Sequence, residues 1–146
     1  MILQLTPNTH PILHEKMKPC SEDLDRHEMS RILKENMFHY KGIGLSANQI
    51  GISERVFVMI LNIETEETIT CFNPRIIKRY EDDVWFEEGC LSFPDEIINI
   101  QRPNRIVVKY EDEDKKDHKI KLDGLASRVF LHEFDHLEGI VFTERQ

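Results

Sequence analysis

The sequence predicts an α+β domain in which antiparallel sheets pack around a central helix carrying an H-E-x-x-H run. Three observations lead there. Strand-like runs follow one another in series instead of alternating with helices, and only two segments have helical periodicity. The second of these is apolar on two opposite faces, as a helix with sheet on either side must be. A chain of 146 residues, 40% hydrophobic with six glycines and six prolines, fits one such domain over residues 1–146.

Residues 1–20 contain Pro7, Pro11 and Pro19 and read as an extended lead-in. A helix is expected from about Glu22 to Tyr40. Ser21 is its candidate N-cap, Met29, Leu33, Met37 and Tyr40 share one face, and Gly42 stands at the C′ position. The Gly-containing stretch from Gly42 to Gly51 reads as a loop, followed by a buried strand from Arg55 to Leu61. Further strand signals lie at residues 68–72, 76–80, 97–101 and 105–111, the last forming a hairpin with 119–122 across a charged, solvated tip. A second helix runs from Leu125 to Glu138, between Gly124 and Gly139, and a short tail follows.

The composition narrows the function. A net charge of −8 argues against a sequence-independent grip on nucleic acid, which needs a basic face, so no direct nucleic-acid binding is expected. The longest strongly apolar run, Val56 to Leu61, is far short of the ~20 residues of a membrane helix. The N-terminus has no basic segment ahead of a long apolar one. Cys20, Cys71 and Cys90 are widely separated and include no C-x-x-C, which suits free thiols in a reducing cytoplasm.

The chemistry lies in the second helix. At about 100° per residue, His132 and His136 project from one face about 40° apart, Leu125 and Val129 share that face, and Glu133 sits at its edge. Phe130, Phe134 and Leu137 occupy the opposite side, and Asp135 points away from the histidines. Two imidazoles and a carboxylate in so apolar a helix cost several kcal/mol of desolvation unless something binds them. In His132-Glu-Phe-Asp-His136 the two histidines converge on one divalent ion and the Glu between them reaches its water. The motif alone also fits two buried histidines bonded to backbone. Hydrolytic sites of this type use three protein ligands. Upstream, Cys90 offers a thiolate in the turn Glu87-Glu-Gly-Cys-Leu-Ser-Phe-Pro94. Glu88 and Arg102 form either a supporting pair behind Cys90 or a plain surface ion pair.

Three segments in order, Gly42-Ile-Gly-Leu-Ser-Ala-Asn-Gln49, Glu88-Gly-Cys-Leu-Ser92 and His132-Glu-Phe-Asp-His136 with Leu137-Glu-Gly-Ile-Val-Phe142 after it, resemble the peptide deformylases. The resemblance runs from the first residues to about Arg145. It implies that Cys90, His132 and His136 bind the metal and that Glu133 is general base, then acid. It further implies that the Gln49 amide and the Leu91 N–H form an oxyanion hole, that Gly44 and Gly89 bond the peptide backbone, and that Ile43, Phe86, Leu125 and Val129 line a methionine pocket. The implied substrate is a formyl-methionyl nascent peptide, and the implied ion is Fe2+, with Zn2+, Ni2+ or Co2+ able to take its place.

The chain departs from the family pattern in places. Ser46 stands where a second Ala is usual, Leu131 replaces a common Gln, and Arg128 occupies a position near the pocket that is often apolar. The chain also stops before the C-terminal helix of most bacterial members. It resembles in this the short deformylases of some bacteriophages, which work in the host cytoplasm, and ribosome docking through that helix is not expected. Two rivals give different residues the work. An H-E-x-x-H endopeptidase would take Glu144 as third ligand, and a structural-metal module would close the site with a fourth ligand and leave Glu133 idle.

Overall fold

Helix α2, Gly124–Leu137, runs between two sheets, as its two apolar faces require. On one side lies a five-stranded antiparallel sheet, order β1-β2-β3-β6-β7, built from Gly44–Ser46, Val56–Asn62, Glu67–Arg79, Arg105–Glu111 and Asp117–Asp123. On the other lies a two-stranded antiparallel sheet of β4, Asp83–Cys90, and β5, Phe93–Pro103. This computed structural model describes all residues from Met1 to Gln146. The α+β architecture is the one the sequence predicts, and no helix is long and apolar enough to cross a membrane.

Strand β6 shows why the large sheet forms. Ile106, Val108 and Tyr110 alternate with Arg105, Val107 and Lys109, and the buried set packs with Phe57, Met59 and Leu122 against Phe130 and Leu137 of α2. The opposite face of β1 and β2 receives helix α1, Arg26–His39, whose Met29, Leu33 and Met37 pack on Leu45, Val56, Val58 and Phe72. The expected hairpin is β6–β7, paired from Arg105↔Asp123 to Glu111↔Asp117.

Several boundaries differ from the sequence reading. Helix α1 starts at Arg26, capped by the Asp25 carboxylate, which accepts from the Glu28 N–H at 3.1 Å. Ser21 instead turns its N–H and hydroxyl onto Glu54. At the other end Lys41, not Gly42, takes the left-handed position, with φ +58°. Lys41 N–H bonds Phe38 O and Gly42 N–H bonds Met37 O, a Schellman closure one residue earlier than expected. The two runs at 68–72 and 76–80 form the single strand β3, with register shifts past Phe72 and Ile76 and Asn73 at φ +50°. The loop from Gly42 to Gly51 contains β1 and a 3-10 turn, Ala47–Ile50. Strand β4 was not expected, and Cys90 stands at its end.

Gly139 ends α2 at φ +76° through a second Schellman motif, Ile140 N–H to Asp135 O and Gly139 N–H to His136 O. A Cβ there would lie 2.8 Å from the Glu15 backbone. The lead-in thus crosses the C-terminal end of the helix, and Met17 N–H bonds Leu137 O at 2.7 Å.

Candidate active site

A cleft of about 420 Å3 opens where β1, the end of β4 and α2 meet. Three elements bring their ligand atoms together there. Strand β4 delivers Cys90, and successive turns of α2 deliver His132 and His136; the three candidate atoms lie within 4.8 Å of one another. Cys90 Sγ is 3.4 Å from His136 Nε2. His132 Nδ1 is held 2.9 Å from Glu88 Oε1, which leaves Nε2 as its free ligand atom.

Burial opposes a charge on His132, but hydrogen bonds to Cys90 and Glu88 outweigh it and lift the imidazole to about 10. Metal uptake must displace that proton. Burial and the neighbouring charges of His132 and Arg102 hold His136 well below its ordinary value, in the neutral form a metal needs. Glu133 is fully buried; burial pushes its carboxyl up to about 7 against the pull of His132. Its Oε1 has no hydrogen-bond partner, and neither has His136 Nδ1. A buried carboxylate oxygen without a partner is costly. A divalent ion on a nitrogen, nitrogen, sulfur donor set, with water completing its shell, fits this arrangement and would satisfy Glu133 Oε1.

Gly44 lets the carboxylate come this close. A Cβ at that position would stand 2.6 Å from Glu133 Oε2. Gly42 has a similar reason, since its Cβ would meet Leu91 Cδ1 at 2.8 Å. Gln49 is locked in place. Its Oε1 accepts from the Ser46 N–H at 3.0 Å and the Ser46 hydroxyl at 3.1 Å, so its amide nitrogen faces Ser92 Oγ at 3.0 Å and Cys90 Sγ at 3.7 Å.

Behind the ligands runs a buried ion network. Glu88 accepts from Arg102 Nε at 2.6 Å, Arg102 Nη2 at 3.1 Å and Arg128 Nη1 at 2.7 Å. Burial alone would raise the Glu88 carboxyl, but hydrogen bonds from His132 and Arg102 hold it at about 2. Arg102 Nη1 reaches Asp135 at 2.8 Å, and Arg145 closes on the same carboxylate at 2.9 and 3.0 Å. Of the two readings of Glu88 and Arg102, the buried pair is the one present.

Ile43, Gly44, Gln49, Gly89, Leu91, Leu125 and Val129 all line the cleft with Cys90, His132 and Glu133. Phe86 does not; it is 57% exposed, and the Arg128 guanidinium lies over its ring at 5.7 Å and takes its place in the wall. This departure from the expected pocket follows from Arg128 itself, which is also bonded to Ile100 O and Val84 O. Sequence reasoning missed Ser46, Ser92 and Arg145. Ser46 was visible as a departure, whereas nothing local marks Arg145. The endopeptidase rival loses its ligand, because Glu144 is half exposed and its neighbour is His14 at 4.0 Å. The structural-metal rival finds no fourth ligand, since the group contains Cys90, His132 and His136 alone.

The comparisons agree with this geometry. The family model for polypeptide deformylase matches residues 2–146. The chain belongs to the peptide deformylase family. The peptide deformylase of Thermotoga sp. (strain RQ2) is 39% identical over 137 residues, covering 92% of this chain and 81% of its own length. The crystal structure of peptide deformylase from Thermotoga maritima superposes with a TM-score of 0.92 at 36% identity, over 99% of this chain and 97% of that one. A probable peptide deformylase from synechococcus phage S-SSM7 gives a TM-score of 0.90 at 39% identity over 99% of both chains. As a peptide deformylase, the chain is a metal-dependent hydrolase that removes the N-terminal formyl group of nascent peptides.

Proposed function

We propose that the cleft hydrolyses the formamide bond of formyl-methionyl peptides, with one divalent ion held by Cys90, His132 and His136 and with Glu133 moving the proton. The observation that carries this is the convergence of the three ligand atoms within 4.8 Å beside a buried carboxylate oxygen that has no partner. Fe2+ is the proposed working ion, with Zn2+, Ni2+ or Co2+ as substitutes, and the cytoplasm is the proposed place of action. When bound, such an ion acidifies a water and polarises a carbonyl oxygen.

The chain's own residues do the rest. Glu133 accepts a proton as water adds to the formyl carbon, then donates it to the peptide nitrogen as the C–N bond breaks, leaving formate and a free amine. Burial raises its carboxyl above the ordinary value, which favours taking up the proton. One amide hydrogen of Gln49 is engaged by Ser92, and the second, in a long contact with Cys90 Sγ at 3.7 Å, would turn to hold the developing oxyanion together with the Leu91 N–H. Gly44 and Gly89, at the strand edges flanking the cleft, bond the peptide backbone, and Ile43, Leu125 and Val129 take the methionine side chain. The test is formate release from a short formyl-Met peptide by anaerobically prepared protein, beside Glu133→Ala. Formate from the first and none from the second is expected. Metal-loaded protein that releases none would sink the assignment.

A further inference from the structure

The face of the five-stranded sheet opposite α2 carries a pattern of charge that the cleft does not use. Helix α1 covers this face over β1, β2 and the first half of β3, as far as Phe72, and reaches β6 through Arg26 and Glu111. Beyond it Arg75 stands directly opposite Lys109, and Lys109 directly opposite Lys119. The next line across the strands holds Lys78, Val107 and Lys121. Tyr80 ends the patch, with Lys78 Nζ and the Arg105 guanidinium each 4.5 Å and Lys121 Nζ 5.2 Å from its ring centroid.

Arg75, Lys78, Lys109, Lys119 and Lys121 take part in none of the chain's ion pairs, whose basic partners lie elsewhere. Of the flanking carboxylates, Glu111 and Asp82 are already paired, with Arg26 and Arg105, while Asp117 and Asp123 bound the lysines at the two ends of β7. Like charges set opposite each other across strands are destabilising. Lysines on an edge strand guard against unwanted strand pairing, which accounts for Lys119 and Lys121 on β7. The same reason covers Arg75 and Lys78, because β2 pairs with β3 only as far as Phe72 and leaves the stretch beyond it an edge, but it does not cover Lys109 on β6, which is paired on both sides.

We propose that this face binds the phosphate backbone of RNA. A lattice of five unpaired cations in a chain of net charge −8 is complementary to a polyanion. A membrane surface fits less well, since the apolar side chains among these residues are a half-buried Val107 and a single exposed Ile77, too little to insert. The inward side chains of β6 pack toward α2, so RNA on the outer face leaves the cleft open to peptide. Nascent chains emerge from an RNA-rich particle, and a grip of this kind would hold the enzyme beside its substrate. The overall acidity, which led us to expect no nucleic-acid contact, averages over surfaces of opposite sign.

The experiment is fluorescence anisotropy of a labelled single-stranded RNA oligonucleotide with the full-length, metal-loaded protein across a salt series. Five engaged cations predict that log affinity falls with log salt at a slope of about −3.5, or about −0.7 for each. Lys119→Glu with Lys121→Glu should flatten that slope by about 1.4 or more and leave formate release unchanged. The Gln pair at the same positions carries the same prediction if the Glu pair does not fold. A slope near zero, or a slope unchanged in the variants, overturns the proposal. So does tighter binding to vesicles of anionic phospholipid than to RNA, which would assign the surface to lipid.

Discussion

The two sides of α2 solve the problem of burial in different ways. Toward the five-stranded sheet the helix presents Phe130 and Leu137 to a cluster of twelve buried residues, almost all hydrocarbon. Toward the two-stranded sheet the apolar cluster shrinks to Ile98, Ile100 and Phe142, and Glu88, Arg102, Arg128, Asp135 and His132 take over the contact. The first side supplies stability that does not depend on direction. The second supplies orientation, because each ion is useful only where its partner stands, and the ion network leads through Glu88 to His132, a candidate metal ligand. A hydrolytic site needs the second kind of wall and can tolerate it only with the first behind it.

The comparison is most easily broken at Glu133. Glu133→Gln should lower kcat by a factor of about 10^2–10^4 while the melting temperature stays level or rises, since a buried carboxylate is exchanged for a neutral amide. Phe130→Ala, on the hydrocarbon side, should do the reverse. It should cost about 3–5 kcal/mol in denaturant unfolding and leave the activity of the folded fraction near wild type.

Glu88→Gln sharpens the contrast, because it removes the shared counter-ion of Arg102, Arg128 and His132. Metal affinity, read by competition with a chelator, should fall about 10–100-fold. Gly44→Ala should act through Glu133 alone. The added Cβ meets the end of a flexible side chain, so the fold accommodates it, but the displaced carboxylate should cost about 10^2 in kcat with little change in melting temperature. An unfolded Gly44→Ala would show that β1 belongs to the rigid side.

The smallest effects concern thiols and alkali. Burial pushes the Cys20 thiol up to about 11 and holds the Cys71 thiol well above its ordinary value. Alkylation at pH 8 should therefore label Cys90 alone, and only after a chelator has removed the ion. Burial likewise raises Tyr110 to about 12. Cys20 and Tyr110 both favour their neutral forms in the folded chain, so the unfolded chain loses these protons first. Stability should be fully present below about pH 9 and decline as the pH rises toward 12, as a melting series would show.

What was legible in the sequence follows the same division. The hydrocarbon side announces itself through periodicity, so α2, β2 and the β6–β7 hairpin stand close to where pattern places them. The polar side has no such pattern. Asp83-Val-Trp-Phe-Glu-Glu-Gly-Cys90 buries only Glu88 fully, and a strand whose inward residue is charged does not read as a strand. The grouping of Cys90, His132, His136 and Glu133 was legible because metal chemistry would impose fixed residue types and, on α2, fixed spacing. Arg145 was not, since it reaches Asp135 only once the tail has turned back after Gly139. The start of α1 was misplaced because Ser21 and Asp25 are both good caps, and Ser21 is claimed by Glu54 from a distant loop. Phe86 was misplaced because it stands outside the cleft, largely exposed, while Arg128 lines the wall beside it.

The lead-in that crosses the end of α2 has a kinetic consequence. Thr6 N–H bonds Gln49 O, Met17 N–H bonds Leu137 O, and Gly139 admits the Glu15 backbone. The opening and closing stretches of the chain must therefore meet before the last turn of the ligand-bearing helix is sealed. Contacts of such long sequence separation form late and slowly. The ion should accordingly enter a protein that has already folded, and its arrival should mark the end of maturation, not the nucleus from which folding starts.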